Sequence, residues 1–222
     1  MKSANNQGCK SKVQTKAQAG ECPSFEDITP IDAPEAYAPP AMEEVDEKNM
    51  HPYLQGLIKE HHPFVTELNI FEETLKKIQV DGISKELNPL LGRFFEFYST
   101  EVIPHNRREE RGLFPILAAK LIEIGEHSKA HEEGDDTLPT TAITVMEEEH
   151  IKGMQIAAVA FNLFGIASRL RDPDSRLLVL DAAVEQGKAL VELYRLHIFR
   201  EDKILFPLAQ KHLTSTEMDQ LS

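Results

Sequence analysis

Two eleven-residue phrases hold the side chains of this sequence that can do chemistry. The first is His105-Asn-Arg-Arg-Glu109-Glu110-Arg-Gly-Leu113-Phe114-Pro115, and the second is His197-Ile-Phe-Arg-Glu201-Asp202-Lys-Ile-Leu205-Phe206-Pro207. They share the His, an Arg, the Glu and the closing Leu-Phe-Pro, and two further positions keep their charge. His-x3-Glu sets an imidazole and a carboxylate one helical turn apart on one face, where both reach the same metal ion. Two copies imply two ions, or one site built from two halves. Glu60-His61 and Glu149-His150 repeat at a matching distance and add one imidazole to each half. The candidate ligands are therefore His61, His105, Glu109, His150, His197 and Glu201. Imidazole suits first-row transition ions, and carboxylates bridge two ions and offset their charge. Without metal, two carboxylates in a bundle core would cost several kcal/mol of desolvation, so folding is expected to be coupled to metal uptake.

Each element has a plainer reading. A single His-x3-Glu is usually a solvated pair on a helix surface, and only the duplication in matched contexts argues otherwise. His61 and His62 compete for one position, with Ile58, Val65 and Leu68 favouring His61. Glu110 and Asp202 follow the ligand carboxylates and read as a solvated face, with a hydrogen bond to a ligand as the alternative. Tyr98 and Tyr194 read as core residues rather than redox groups. Leu-Phe-Pro reads as packing, its ring walling the site and its Pro bending or ending the helix.

The elements that must hold these residues are helices. From His51 onward, apolar residues recur at threes and fours. A first helix carries Leu54, Leu57, Ile58, His61, Val65, Leu68 and Leu75, and Pro63 should kink or restart it. A second follows Asn88-Pro89 and runs through His105 to Ile116, with Pro104 distorting it locally. Gly125 to Pro139 reads as a loop. A third helix spans about Thr140 to Phe164, with Ile143, Met146, His150, Met154, Ala157 and Phe161 on its inner stripe. A fourth starts near Ser175 and carries Leu190, Tyr194, His197, Glu201 and Leu208. No stretch alternates with period two. The fold class is all-α, an antiparallel up-down four-helix bundle.

Composition sets the outer bounds. The chain has 222 residues, is 41% hydrophobic and 27% charged, and carries a net charge of −13. That acidity argues against nucleic acid as a partner. No apolar run approaches a membrane span, and no secretory signal is visible. Residues 1–48 hold five of the 13 prolines and no sustained periodicity, and they read as a disordered tail ahead of a bundle over 49–222. The two cysteines, Cys9 and Cys22, both lie in this tail. A bundle without cysteine fits a reducing cytoplasm and excludes iron–sulfur ligation in the core.

His61, then His105-x3-Glu109 with Leu113-Phe114-Pro115, then Glu149-His150, then His197-x3-Glu201 with Leu205-Phe206-Pro207 together resemble the hemerythrin-like (HHE cation-binding) domain, over about residues 50 to 212. The resemblance implies a non-haem di-iron centre held by those six residues. Its two Fe ions would be bridged by oxo or hydroxo and by the Glu carboxylates, and would bind or sense oxygen, nitric oxide or peroxide. Zn is the alternative occupant of such ligands. The third helix has Met154 where oxygen carriers of this family place a second His, and the fourth uses His197-x3-Glu201 rather than a longer step to Asp. The symmetric set resembles the sensing, iron-handling and repair branches and points away from reversible oxygen carriage. Two other functions compete with small-oxidant binding. One is a di-iron oxidase or peroxidase, although Glu147-x2-His150 is the only Glu-x2-His that this chain offers for it. The other is a metal-free helical interaction module. The sequence names no protein partner for the tail.

Overall fold

The computed structural model describes residues 45–127 and 140–221. Nearly all of the expected tail, with Cys9 and Cys22, and most of the expected Gly125–Pro139 loop lie outside the described residues.

Polar caps and prolines mark where the helices begin. A short 3₁₀ turn, Glu47–Asn49, leads to His51, whose ring accepts a hydrogen bond from the Tyr53 amide at the start of α1 (Pro52–Asp81). Pro52 occupies the first helical turn, where a missing N–H costs nothing. Gly82 ends α1 at φ 76°, a left-handed backbone that favours glycine, with its N–H bonded to the Ile78 carbonyl. The second bundle helix is built in pieces: α2 (Asn88–Phe97), a π-helical turn (Tyr98–Val102), α3 (Ile103–Arg111) and α4 (Leu113–Glu123). Thr141 and Thr144 form a reciprocal capping box at the start of α5 (Ala142–Ala167). Asp172 caps α6 (Pro173–Arg200), which continues through a second π-helical turn (Glu201–Leu205) into α7 (Phe206–His212). A short α8 (Ser215–Asp219) closes the described chain. No strand occurs among the described residues, and no helix there is long and apolar enough to cross a membrane.

The apolar core falls into two clusters, and their order along each helix gives the topology. On α1 the residues before His61 (Leu54, Leu57, Ile58) join one cluster, and those after it (Phe64, Leu68, Phe71, Leu75) join the other. The second bundle helix reverses that order, with Phe94, Tyr98 and Val102 before His105 and Leu113, Phe114 and Leu117 after Glu109. α5 repeats the order of α1, and α6 with α7 repeats that of the second helix. Alternating order means that successive helices run antiparallel, so the fold is the expected up-down four-helix bundle. Between the two clusters lies one buried layer containing His61, His105, Glu109, His150, His197 and Glu201.

Three details differ from the periodic reading. Pro63 sits inside α1 and the helix continues through it. Pro63 and Lys59, whose carbonyl loses its helical partner, are both exposed, on the solvent side of a helix that buries His61 and Phe64. Pro104 follows a π-helical turn, so the distortion expected there takes the form of a widened turn just upstream. Met154 and Phe161 are exposed (40% and 57%), not inward-facing. Beyond His150 the inner face of α5 is Gly153, Ala157, Ala160, Phe164 and Ala167, mostly small residues that bring the helix backbone close to its neighbours.

Glycine at a close approach gives a direct test of this packing. A Cβ on Gly187 would lie 2.8 Å from both δ carbons of Leu75, whereas one on Gly92 would meet nothing within 4 Å. Gly92→Ala should stabilise the protein by about 0.5–1 kcal/mol through helix propensity. Gly187→Ala should lose that gain and destabilise by about 1–3 kcal/mol through overpacking. Chemical denaturation of the two variants measures both signs.

Candidate metal centre

All six residues expected as ligands converge in the buried layer. His61 is 2% exposed while His62 is exposed, which decides between the two. The four imidazoles form two pairs. His61 Nε2 and His105 Nε2 are 3.1 Å apart, and His150 Nε2 and His197 Nε2 are also 3.1 Å apart. Both carboxylates lie between the pairs. Glu201 Oε2 is 3.2 Å from His61 Nε2, and its Oε1 is 3.1 Å from His197 Nε2 and 3.9 Å from His150 Nε2. Glu109 Oε2 is 3.5 Å from His105 Nε2 and 3.6 Å from His150 Nε2.

The other imidazole nitrogen of each His is bonded to an acid on a different helix. Nδ1 of His61 meets Asp202 at 2.8 Å, and that of His105 meets Glu60 at 2.7 Å. Nδ1 of His150 meets Glu110 at 2.9 Å, and that of His197 meets Glu149 at 3.0 Å. Arg108 holds Glu60 in place, and Arg200 holds Glu149. Phe206 stacks on the His61 ring and Phe114 on the His150 ring, with centroids 5.8 and 5.6 Å apart. Each contact in one half therefore has its counterpart in the other. A carboxylate accepting from Nδ1–H leaves the Nε2 lone pair free to act as a ligand.

Glu110 and Asp202 are thus not a solvated face. Each binds the imidazole of a helix other than its own, and Glu60 and Glu149, whose role the sequence reading missed, do the same. A signal was present, since acids recur at matching places in both halves of the repeat. An acid one position from a ligand sits about 100° around the helix, which puts it within reach of the adjacent helix.

Electrostatics in the layer are strongly perturbed. Burial, and then the charge of Glu201, pushes Glu109 well above the ordinary carboxylate range. Burial would raise Glu201 as well, but His197, His150 and His61 outweigh it and hold that carboxyl well below its usual range. Burial opposes charge on His61, but Asp202 and Glu201 raise it to about 9. His197 reaches about 9 against the same opposition, through Glu201 and Glu149. Burial lowers His105 despite Glu60. All four carboxylate oxygens of Glu109 and Glu201 are buried without a hydrogen-bond partner. Such groups cost free energy unless something cationic pairs with them. His61, His105 and Glu201 could hold one metal ion, and His150, His197 and Glu201 another.

A pair of phenols flanks one half. Tyr194 Oη and Tyr98 Oη are 2.7 Å apart, and the Tyr194 ring packs edge-on to His197 at 5.7 Å. A Cβ on Gly153 would lie 2.5 Å from Tyr194 Oη, so only glycine admits this ring. Burial pushes Tyr98 up to about 12, and burial followed by Tyr98 raises Tyr194 further. Both phenols remain neutral hydrogen-bonding core residues, as expected.

The family model for the hemerythrin HHE cation binding domain matches residues 53–209, a span that takes in all six candidate ligands. No curated protein and no solved structure matches the chain.

The phenol pair gives a thermodynamic test of the geometry. Tyr98→Phe and Tyr194→Phe should each destabilise by about 1–2 kcal/mol, because each leaves a buried hydroxyl without its partner. The double variant should cost less than the sum, with a coupling of about 1 kcal/mol in a denaturation cycle.

Proposed function

The chain belongs to the hemerythrin HHE cation-binding domain family, and on that premise we propose that it is a non-haem di-iron protein that binds or senses a small oxidant. One observation carries the reading: two imidazole pairs with Nε2 atoms 3.1 Å apart face two carboxylates whose four oxygens have no other partner. His61 and His105 would hold one iron, His150 and His197 the other, and Glu109 and Glu201 would bridge between them. Iron bound there would supply a redox-active centre with coordination positions open to oxygen, nitric oxide or peroxide.

The chain's own residues prepare that centre. Asp202, Glu60, Glu110 and Glu149 fix each ring's orientation and keep Nε2 as the donating nitrogen. In the metal-free protein His61 and His197 hold protons beside Glu201, and metal binding would displace them. Phe114 and Phe206 cover the layer on one side and Phe64 and Tyr194 on the other, excluding bulk water. A cavity of about 70 Å³, lined by Pro63, Phe64, Phe97 and Val102 with Glu60, Glu101, His61 and His105 at its polar edge, reaches the first imidazole pair. Its size and mostly apolar wall suit a diatomic or peroxide and not an organic substrate. A cytoplasmic setting completes the proposal, since the bundle contains no cysteine to report an oxidising compartment.

The test is spectroscopic. Iron-loaded protein should show visible charge-transfer bands that change on exposure to oxygen, peroxide or nitric oxide; a silent spectrum with all three sinks the reading. Glu109→Leu separates a metal role from a structural one. The variant should stabilise the metal-free protein by about 1 kcal/mol or more, because an unpartnered buried carboxyl is replaced by packing. Its iron content should fall sharply, and destabilisation of both forms would mean that Glu109 serves only the fold.

A further inference from the structure

Pro104, Arg107, Arg108 and Arg111 share one face of α3, at the spacing of three and four residues that aligns side chains on a helix. This face forms one wall of a cleft of about 510 Å³, with Tyr53 from α1 and Gln220 and Leu221 after α8 on the other side. A Cβ on Gly112 would lie 2.9 Å from the Arg108 carbonyl oxygen and 3.3 Å from Tyr53 Oη, so the backbone break there calls for glycine, which also leaves room for that hydroxyl at the edge of the cleft. Arg108 is bonded to Glu60, whereas Arg107 and Arg111 form no ion pair among the described residues. The nearest acids along the helix are engaged elsewhere, Glu109 in the buried layer and Glu110 on His150.

The internal repeat supplies a control. The other half keeps Arg200 bonded to Glu149, matching Arg108 on Glu60, so the metal layer needs that pairing in both halves. At the register of Arg111 it keeps a cation, Lys203, but at that of Arg107 it has Phe199, at that of Gly112 it has Ile204, and at that of Tyr53 it has Ala142. The layer is built equally well without Arg107, Gly112 and Tyr53, so the cleft on this side answers to something else. Arg111 also sits in the last turn of α3, where a cation suits the helix end, but Arg107 lies a turn earlier and gains nothing from it.

We propose that this cleft binds a small phosphate-bearing anion, gripped by the guanidinium forks of Arg107 and Arg111 with Tyr53 and Gln220 as further donors. Guanidinium groups match phosphate oxygens two at a time, and unpaired ones facing a concave surface are suited to such a ligand. The volume exceeds what a free phosphate needs and falls in the range of small-molecule sites, which favours a phosphate ester over the bare ion. Arg108 lines the cleft and also holds Glu60 on His105, so an occupant would share a residue with the buried layer.

Calorimetric titration of the full chain as purified, at constant ionic strength, tests this with inorganic phosphate and with glycerol phosphate as probes. The proposal predicts saturable binding of one equivalent that weakens at least about tenfold in the Arg107→Gln/Arg111→Gln variant. Both residues are exposed, so the variant should keep its thermal stability and metal content. Tighter binding of glycerol phosphate assigns the site to a phosphate ester, and equal binding assigns it to the free ion. Absence of saturable binding, or equal affinity in the variant, overturns the proposal. Phosphate held by a metal ion in the buried layer would survive the double substitution, so this result is independent of what occupies that layer.

Discussion

Two carboxylates and four imidazoles have to share the middle of an apolar bundle, and the rest of the fold is arranged around that constraint. Transferring ions from water to a protein interior costs several kcal/mol each even after relaxation. The protein meets that cost in layers. Glu109 is driven toward its neutral form while Glu201 stays ionised among imidazoles, so the two acids do not carry like charges side by side. Each imidazole is backed by its own carboxylate, and on one member of each pair an arginine backs that carboxylate in turn. The charges thus alternate outward to the surface. What this arrangement turns inward is a face of four carboxylate oxygens without a hydrogen-bond partner and two pairs of opposed Nε2 atoms. A pair of divalent cations would satisfy that face from within.

The pseudo-twofold relation between the halves is close in the four imidazoles, the two buried carboxylates and the acids behind them, and it breaks in the apolar wall. Position 64 is Phe and its counterpart 153 is Gly, while position 102 is Val and its counterpart 194 is Tyr. Large and small have been exchanged across the layer, so the Tyr194 ring fills the space above Gly153 while the first half keeps a narrow cavity beside His61 and His105. Identical donor sets are thereby given different surroundings. The duplicated Leu-Phe-Pro shows the same division of labour. Each Phe stacks on a histidine of the opposite half, and each Pro breaks the regular helix next to it, at Gly112 in one copy and through a π-helical turn in the other.

How much of this could be read in advance follows from what each residue depends on. The six residues of the buried layer were legible as a group because metal chemistry demands particular residue types at one-turn spacing, and because duplication is hard to obtain by accident. Helix number and antiparallel order followed from periodicity and short connections. Glu60 and Glu149 were not legible as partners of the imidazoles, and Glu110 and Asp202 only as the less favoured of two readings, since the rings they bind lie on other helices and only the packing angle brings them together. Met154 and Phe161 misled because an apolar side chain at helical spacing carries no label for which face is inner. The small residues of α5 decided that, by letting the backbone approach. Pro63 does not restart the helix for a related reason: the cost of one lost hydrogen bond is local, while α1 stays docked through the buried His61 and Phe64 on either side of it.

The central claim is that cations complete the buried layer, and the most direct measurement is an anaerobic titration of metal-free full-length protein with ferrous iron, followed by bound iron and thermal midpoint together. Saturation at about two irons per chain, with the midpoint rising until that ratio and flat beyond it, is the predicted result, because binding to the folded state alone stabilises by mass action. A midpoint that does not respond to iron, or iron retained without any gain in stability, would contradict it.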